Sequence, residues 1–76
     1  MPENAPDIGD VYRHYKGDLY KVVGMALNSS SEDDEWLVVY EPGYENAAAP
    51  LFARPLSEWG NMVEWEGSQV ARFAKQ

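Results

Sequence analysis

The residues best suited to chemistry gather in one short stretch of the chain, Val11 to Gly24. Three of the six Lys and Arg residues and the single histidine fall there, interleaved with tyrosines. Cations beside aromatic side chains can contact phosphates while the rings stack on bases or on another aromatic ligand. The candidate binding residues are Tyr12, Arg13, His14, Tyr15, Lys16, Tyr20 and Lys21.

Strand geometry divides these candidates. Successive side chains of a β-strand point to opposite faces, so Val11, Arg13 and Tyr15 share one face and Tyr12, His14 and Lys16 the other. The whole set therefore cannot act together on a flat strand. We favour the alternative interpretation, in which the tyrosines pack in the core or across strands and the cations attract the acidic loop.

The sequence offers little for catalysis. His14 is the only histidine and there is no cysteine, so one chain can form neither a His-based metal cluster nor a thiolate nucleophile. The glycines are scattered over separate turns instead of forming a phosphate-binding loop. We therefore predict no enzyme activity, no catalytic residue and no cofactor.

A run of four carboxylates, Glu32 to Glu35, ends a polar loop that begins at Asn28. Calcium loops place their ligands at alternate positions around a glycine turn, and this spacing is absent here. The sequence therefore favours a solvated loop over a cation site, and no metal site is predicted.

Length and charge bound the class of protein. A chain of 76 residues is one domain. It has no cysteine, no apolar stretch long enough for a membrane span and no signal-peptide pattern, so we expect a cytoplasmic protein without membrane contact. The net charge is −7, and residues 25–46 carry −6 of it while residues 11–24 carry +2. This balance disfavours nucleic acid as a partner, since phosphates repel an acidic protein unless its cations share one face.

The pattern of elements is that of a small β-protein. Residues 1–9 have no period and are predicted to be a disordered arm, followed by a single domain over residues 10–74. Val11 to Lys16 and Leu19 to Leu27 form a predicted hairpin with a two-residue turn at Gly17-Asp18. Gly24, inside the second run, indicates a bulge or bend.

The second half continues with short strands. Trp36 to Tyr40 is continuous and apolar, so it is the predicted central strand. The loop after it is irregular, with one helical turn over residues 45–49 as an alternative. A helical turn is expected over residues 56–60, capped by Ser57, with a left-handed exit at Gly60 and with Trp59 on the core. The remaining predicted segments are the strands Leu51 to Pro55, Met62 to Trp65 and Gln69 to Phe73, and a frayed tail over residues 74–76.

Together these elements describe a small, strongly curved antiparallel sheet. The predicted fold is all-β, an SH3-like barrel of five or six short strands with one short helical turn near residues 56–60. An open meander with one helix packed across it is the alternative. Arg54 is expected to pack across an aromatic ring or to pair with Glu58, which is a structural role.

Several strings of the sequence resemble the bacterial domain-of-unknown-function family numbered sixteen fifty-three. They are Tyr12-Arg-His-Tyr-Lys-Gly17, Leu19-Tyr-Lys-Val-Val-Gly24, Leu37-Val-Val-Tyr40, Arg54-Pro55 and Val70-Ala-Arg-Phe73. The resemblance runs from about Gly9 to Phe73. It implies a small standalone cytoplasmic protein and brings no activity with it.

The sequence departs from that family in three places. Asn28-Ser29-Ser30 stands where Arg-His-Ser is frequent, Glu-Pro-Gly-Tyr follows Tyr40 where Arg-Ala-Leu-Tyr is usual, and Ala71 replaces a common proline. The first departure removes a cation and an imidazole from a segment that could have formed a site.

The leading hypothesis for function is a non-enzymatic module that binds a protein or peptide through a barrel face or an exposed strand edge. The alternative is binding of single-stranded nucleic acid by the first hairpin. The sequence leaves the choice between monomer and homodimer open.

Overall fold

The chain folds mainly into β-strands, which confirms the predicted all-β class. The computed structural model describes residues 2–45 and 47–76. In chain order the elements are β1 (Val11–His14), β2 (Leu19–Leu27), β3 (Trp36–Pro42), β4 (Phe52–Pro55), α1 (Leu56–Trp59), β5 (Met62–Trp65), β6 (Ser68–Ala71) and β7 (Phe73–Lys75).

Five of the strands form one antiparallel sheet in the order β4-β3-β2-β1-β7, and β5 and β6 form a separate two-stranded ribbon. The pairing of β7 with β1 returns the end of the chain to its first strand. The arrangement is compatible with the predicted SH3-like barrel, although within the described residues β4 and β7 are not hydrogen-bonded to each other. Helix α1 follows β4 directly, and its Trp59 reaches Phe73 of β7.

The hairpin of β1 and β2 has a longer loop than predicted. His14 N donates to Asp18 O at 2.8 Å and Gly17 N donates to His14 O at 2.7 Å, so Tyr15, Lys16 and Gly17 form a three-residue loop. The predicted two-residue turn at Gly17-Asp18 is wrong because Gly17, with φ of 112°, takes the last loop position, where glycine is favoured in three-residue hairpins. Strand β1 therefore ends at His14 and not at Lys16.

The predicted irregularity near Gly24 is confirmed. The register between β2 and β3 shifts between Val22 and Gly24, which leaves Val23 as the extra residue of a bulge. Strand β2 can thereby pair with β1 at one end and with β3 along the rest of its length. The strand predicted to be central, Trp36 to Tyr40, forms part of β3, and it is β2 that lies in the middle of the sheet.

The C-terminal third differs from the prediction in detail. The run predicted as one strand over Gln69 to Phe73 divides at Arg72, and its second part pairs with β1 as β7. The tail predicted to fray is held, since Gln76 N donates to Val11 O at 2.9 Å. This division, together with the ordered tail, raises the strand count to seven.

Helix α1 begins and ends differently from the prediction. Pro55 occupies the N-cap position and no side chain caps the helix, so Ser57 is not the cap. Gly60 has φ of −92° and does not provide a left-handed exit. The predicted burial of Trp59 is confirmed, with 5% of the residue exposed.

The inner face of the sheet carries the core, whose buried members are Val22, Val38, Tyr40, Trp59 and Phe73. The bulge in β2 places both Val22 and Met25 on this face, opposite Tyr40 and Val38 of β3. Tyr12, Tyr20, Met25, Phe52 and Leu56 pack around the core as partly buried residues. Six of these ten residues carry aromatic rings, which suits a domain with so small a core.

The N-terminal segment lies beside β2. Pro6 is buried, Gly9 N donates to Val22 O at 2.8 Å and Val22 N donates to Asp10 O at 2.9 Å. The disorder expected for residues 1–9 stays a prediction about their behaviour in solution. The helical turn considered for residues 45–49 includes residue 46, which lies outside the described residues, and residues 47–49 are not helical.

Gly17→Ala and Gly24→Ala form a matched test of the hairpin geometry. A Cβ at either position would meet no atom within 4 Å, but Gly17 alone of the two has a φ in the left-handed range. Gly17→Ala should therefore lower the free energy of unfolding by about 1 kcal/mol or more, whereas Gly24→Ala should leave it nearly unchanged. Urea denaturation measures both, and equal losses in the two variants would contradict the assigned loop.

Candidate binding site

The seven residues proposed from the sequence fall into three groups. Strand alternation holds over residues 11–14, as predicted, and the register places one group on the inner face of the sheet and a second on the outer face. The third group lies in the loop at the tip of the hairpin. The inner group is Tyr12, His14 and Tyr20, the outer group is Arg13 and Lys21, and the loop group is Tyr15 and Lys16.

The outer residues do not form a site with the others. Arg13 Nη1 donates to Gly17 O at 2.9 Å and so braces the hairpin loop. Lys21 is exposed and lies across from Glu41 of β3. The ion pairs within the described residues do not join either cation to the acidic loop, so the expected attraction between the hairpin cations and that loop stays a prediction.

Two of the inner residues, His14 and Tyr20, meet around Phe73, whereas Tyr12 contacts Trp59 edge-on at 5.2 Å. The Phe73 ring stacks on Trp59, with centroids 4.0 Å apart and planes 10° apart, and His14 meets it edge-on at 5.2 Å. The rings of Tyr20 and Tyr40 approach it at 6.1 Å and 5.7 Å. We use the name Phe73 cluster for a set of seven residues: His14, Tyr20, Tyr40, Arg54, Trp59, Arg72 and Phe73.

Two arginines that the sequence reasoning left out of the site belong to this cluster. The guanidinium carbon of Arg54 lies 5.7 Å from the centroid of the Phe73 ring, and its Nη1 is 3.2 Å from Glu58 Oε1. Both contacts predicted for Arg54, with a ring and with Glu58, are thus present. The alternation of side chains along a strand could have placed Arg54 in the site. Phe52 and Arg54 are two residues apart and therefore share the inner face, whereas Ala53 between them points to the outer face.

Arg72 is fixed at the junction of three segments. Its N donates to Asn61 O at 2.9 Å and its carbonyl accepts from Tyr15 N at 3.0 Å, so the residue joins the hairpin loop to the loop after α1. Its side chain is half-buried. The ion pairs formed within residues 2–45 and 47–76 do not include Arg72. Nothing in the sequence near Arg72 indicated this position, which depends on the division of the last predicted strand.

Three buried side-chain nitrogens of the cluster lack a protein acceptor: Arg54 Nε, Arg72 Nε and Trp59 Nε1. All three nitrogens are hydrogen-bond donors. Trp59 stacks on the Phe73 ring, Arg54 lies over that ring, and Arg72 precedes Phe73 in the chain. In the described part of the chain no buried side-chain acceptor is similarly unpaired. Because an unpaired buried donor costs about 1–3 kcal/mol, this concentration at one ring calls for an explanation.

The cluster is electropositive in an acidic protein. Burial lowers the pKa of His14 below 6.5, and the cations Arg54, Lys16 and Arg72 lower it further, while Asp18 opposes them. The Lys16 N–H donates to His14 Nδ1 at 3.2 Å, which also favours the neutral ring. Folding therefore disfavours protonation of His14, so its contribution to stability is complete above pH 6.5 and is lost as the pH falls below that value.

Further aromatic side chains extend the cluster toward solvent. The hydroxyl of Tyr20 lies 3.2 Å from that of Tyr44, whose residue is 38% exposed. Burial, followed by this hydrogen bond, raises the pKa of Tyr20 and keeps the phenol neutral. At the hairpin tip Tyr15 meets Trp65 of β5 edge-on at 5.2 Å, and Lys16 Nζ lies 5.8 Å from the Tyr15 ring centroid.

A separate groove of about 300 Å³ lies near the acidic loop and includes no residue of the Phe73 cluster. Asp34, Glu35, Trp36 and Leu56 contribute to its walls. The loop itself is closed by Asn28, whose Nδ2 donates to Glu35 Oε1 at 2.9 Å. Within the described residues no group of three or more His, Asp or Glu side chains is placed to hold a metal ion.

Fold and site together define a small all-β domain with an aromatic and cationic inner face. The sequence model of a family described as a protein of unknown function, DUF1653, matches residues 10–75. The chain belongs to this family, which confirms the resemblance noted in the sequence. A search of curated proteins gave no match.

A solved structure supports the same assignment. The chain is similar to the crystal structure of a DUF1653 protein from Bordetella bronchiseptica, with 36% sequence identity and a TM-score of 0.80. The match covers 97% of this chain and 90% of the other.

Among the helices of the described residues, none is long and apolar enough to cross a membrane.

Replacing Arg72 with glutamine should raise the pKa of His14, because it removes a cation that disfavours the imidazolium. Lys21→Gln removes a charge of the same sign from the outer face and should leave that pKa nearly unchanged. An NMR pH titration of the His14 ring protons measures both variants against the wild type. A shift of similar size in the two variants would show that net charge, and not the cluster, sets the pKa.

Proposed function

We propose that this protein is a non-enzymatic, cytoplasmic interaction module that binds a peptide segment of another protein at the open side of the Phe73 cluster. The observation that carries this proposal is the grouping of Arg54, Arg72 and Lys16 around His14, beside partly exposed rings, in a chain of net charge −7. Cations gathered against the overall charge favour an acidic or hydrogen-bond-accepting partner.

The exposed rings that adjoin the cluster have the chemistry of peptide recognition. Tyr44 and Trp65 are 38% and 39% exposed, and each contacts a candidate residue of the hairpin. Tyrosine, tryptophan and arginine are the side chains most enriched at the centres of protein interfaces. The rings can receive an apolar side chain while the hydroxyls and guanidinium groups bind the backbone or a polar end.

The surroundings of His14 favour binding over acid–base catalysis. A catalytic histidine is commonly oriented by a carboxylate, whereas the hydrogen bond recorded for His14 Nδ1 comes from the Lys16 backbone. Three cations act on the ring against one carboxylate, Asp18. A neutral imidazole beside rings and guanidinium groups serves as a hydrogen-bonding group in a recognition surface.

Single-stranded nucleic acid is the second candidate. The pair of Tyr15 and Trp65, with Lys16 over the Tyr15 ring, resembles a stacking platform with a cation for the phosphate. The net charge of −7 and the inward position of Tyr12 and Tyr20 weigh against it, since those rings pack edge-on in the core.

Selection of peptides from a random display library on the wild-type protein tests the proposal. Selected peptides should shift the amide resonances of Arg72, Phe73 and Tyr15, and Arg72→Gln should weaken them about ten-fold, because it removes a charged hydrogen-bond donor. Lys21→Gln serves as the matched control and should bind like the wild type. Isothermal titration calorimetry and amide NMR provide the two measurements.

Failure of the selection, or peptides whose shifts map away from the cluster, would contradict the proposal. A parallel titration with single-stranded oligonucleotides at physiological salt separates the second candidate. Shifts at Tyr15 and Trp65 that survive this salt would favour nucleic acid, whereas their loss would leave the peptide proposal in place.

A further inference from the structure

We infer that the Phe73 cluster recognises a carboxylate that the bound segment carries next to an aromatic or apolar side chain. This inference rests on the proposed function and names the chemistry of its ligand. It starts from the excess of hydrogen-bond donors over acceptors at the cluster.

The unpaired buried side-chain groups at the cluster are all donors. Arg54 Nε, Arg72 Nε and Trp59 Nε1 have no protein acceptor, and Trp59 is 5% exposed. The three nitrogens are themselves closed to solvent, so a ligand would contact the outer guanidinium nitrogens of the two arginines, and to complement these donors it must bring acceptor oxygens. An amide or alcohol would add donors of its own, whereas a carboxylate is an acceptor with two oxygens.

The two arginines are available to such a group. The side chain of Arg54 is 28% exposed and Arg72 is half-buried, so their stems are packed while part of each residue meets solvent. The backbone hydrogen bonds of Arg72 to Asn61 and Tyr15 hold its backbone in place before any ligand arrives. Its guanidinium can donate two parallel hydrogen bonds to one carboxylate.

A carboxylate fits the site better than a phosphate. Glu58 already lies 3.2 Å from Arg54, so a dianionic group would meet a like charge at the same guanidinium. The chain as a whole carries −7, which penalises each further negative charge that it binds. A carboxylate carries a single charge spread over two oxygens, which reduces both the repulsion from Glu58 and the penalty from the net charge.

The aromatic rings of the cluster account for the aromatic or apolar side chain that the ligand carries next to its carboxylate. His14 and Tyr20 approach Phe73 edge-on, and Tyr44 continues the aromatic surface to solvent. Edges and faces of this kind attract another ring or an aliphatic side chain. The carboxylate should therefore be carried within a few bonds of such a group.

Three small probes test this chemistry by amide NMR titration of the isotope-labelled protein. They are 3-phenylpropionate, its amide analogue 3-phenylpropionamide, and phenyl phosphate. The carboxylate should give saturable shifts at Arg72, Phe73 and Tyr15, and the amide should bind about ten-fold more weakly because it lacks the anionic acceptor. Equal binding of acid and amide, or tighter binding of phenyl phosphate, would overturn the inference.

Two variants add an independent test. Arg72→Gln should weaken 3-phenylpropionate about ten-fold, and Lys21→Gln should bind it like the wild type. Equal weakening in both variants would show attraction by net charge and would overturn the site. The comparison of acid with amide needs no variant, so the inference can fail even if Arg72→Gln does not fold.

Capped dipeptides distinguish the source of the carboxylate. Acetyl-Gly-Phe carries it at the chain terminus, acetyl-Asp-Phe-amide carries it on a side chain, and acetyl-Asn-Phe-amide carries none. Preference for either of the first two over the third supports the inference and identifies the source. Equal binding of all three at the cluster would overturn it while leaving peptide recognition intact, and binding of none there would count against both proposals.

Discussion

The contact between Phe73 and Trp59 joins the two ends of the sheet. Phe73 begins β7, which pairs with β1, whereas Trp59 belongs to the helix that follows β4. Their rings lie 4.0 Å apart and nearly parallel, across the side where β4 and β7 share no hydrogen bonds. Since a domain of 76 residues has little core to spare, the stacked pair closes the inner face and also forms the floor of the candidate site.

Negative and positive charges lie on different parts of the molecule. The acidic residues of the loop from Asn28 to Glu35 lie in solvent or bond within the loop. Arg54 instead lies over the Phe73 ring of the inner face and Arg72 is half-buried, so solvent screens both charges less than on the open surface. A partner bound at the Phe73 cluster, as proposed, would therefore meet a local field opposite in sign to the overall charge.

Much of the fold could be predicted from local patterns. The β-branched and aromatic run of β3, the bulge near Gly24 and the burial of Trp59 each depend on residues close in sequence. The length of the hairpin loop and the division at Arg72 could not be predicted in this way. The division at Arg72 is decided by pairing with a distant segment, through the backbone bond from Tyr15 to Arg72. The loop length depends on the register closed by the bond from His14 to Asp18, because a glycine such as Gly17 fits both two-residue and three-residue turns.

The composition of the candidate site, like parts of the fold, could not be predicted from local sequence patterns alone. Sequence reasoning placed His14 and Tyr20 in one stretch with Arg13 and Lys21, because they are neighbours along the chain. The structure separates these pairs onto two faces and brings Arg54 and Arg72 to His14 from two later segments. Alternation within β1 could show the separation, but the approach of the arginines depends on distant segments, since the pairing of β7 with β1 positions Arg72 and the inner face of β4 carries Arg54.

The central claim is that the inner-face cations hold an anionic group beside Phe73. The most direct measurement is the pKa of His14 by NMR, in the free protein and in the presence of saturating 3-phenylpropionate. The account predicts a pKa below 6.5 in the free protein that rises on saturation, because a bound carboxylate offsets the charges of Arg54 and Arg72. A pKa that stays the same or falls on saturation would contradict the account.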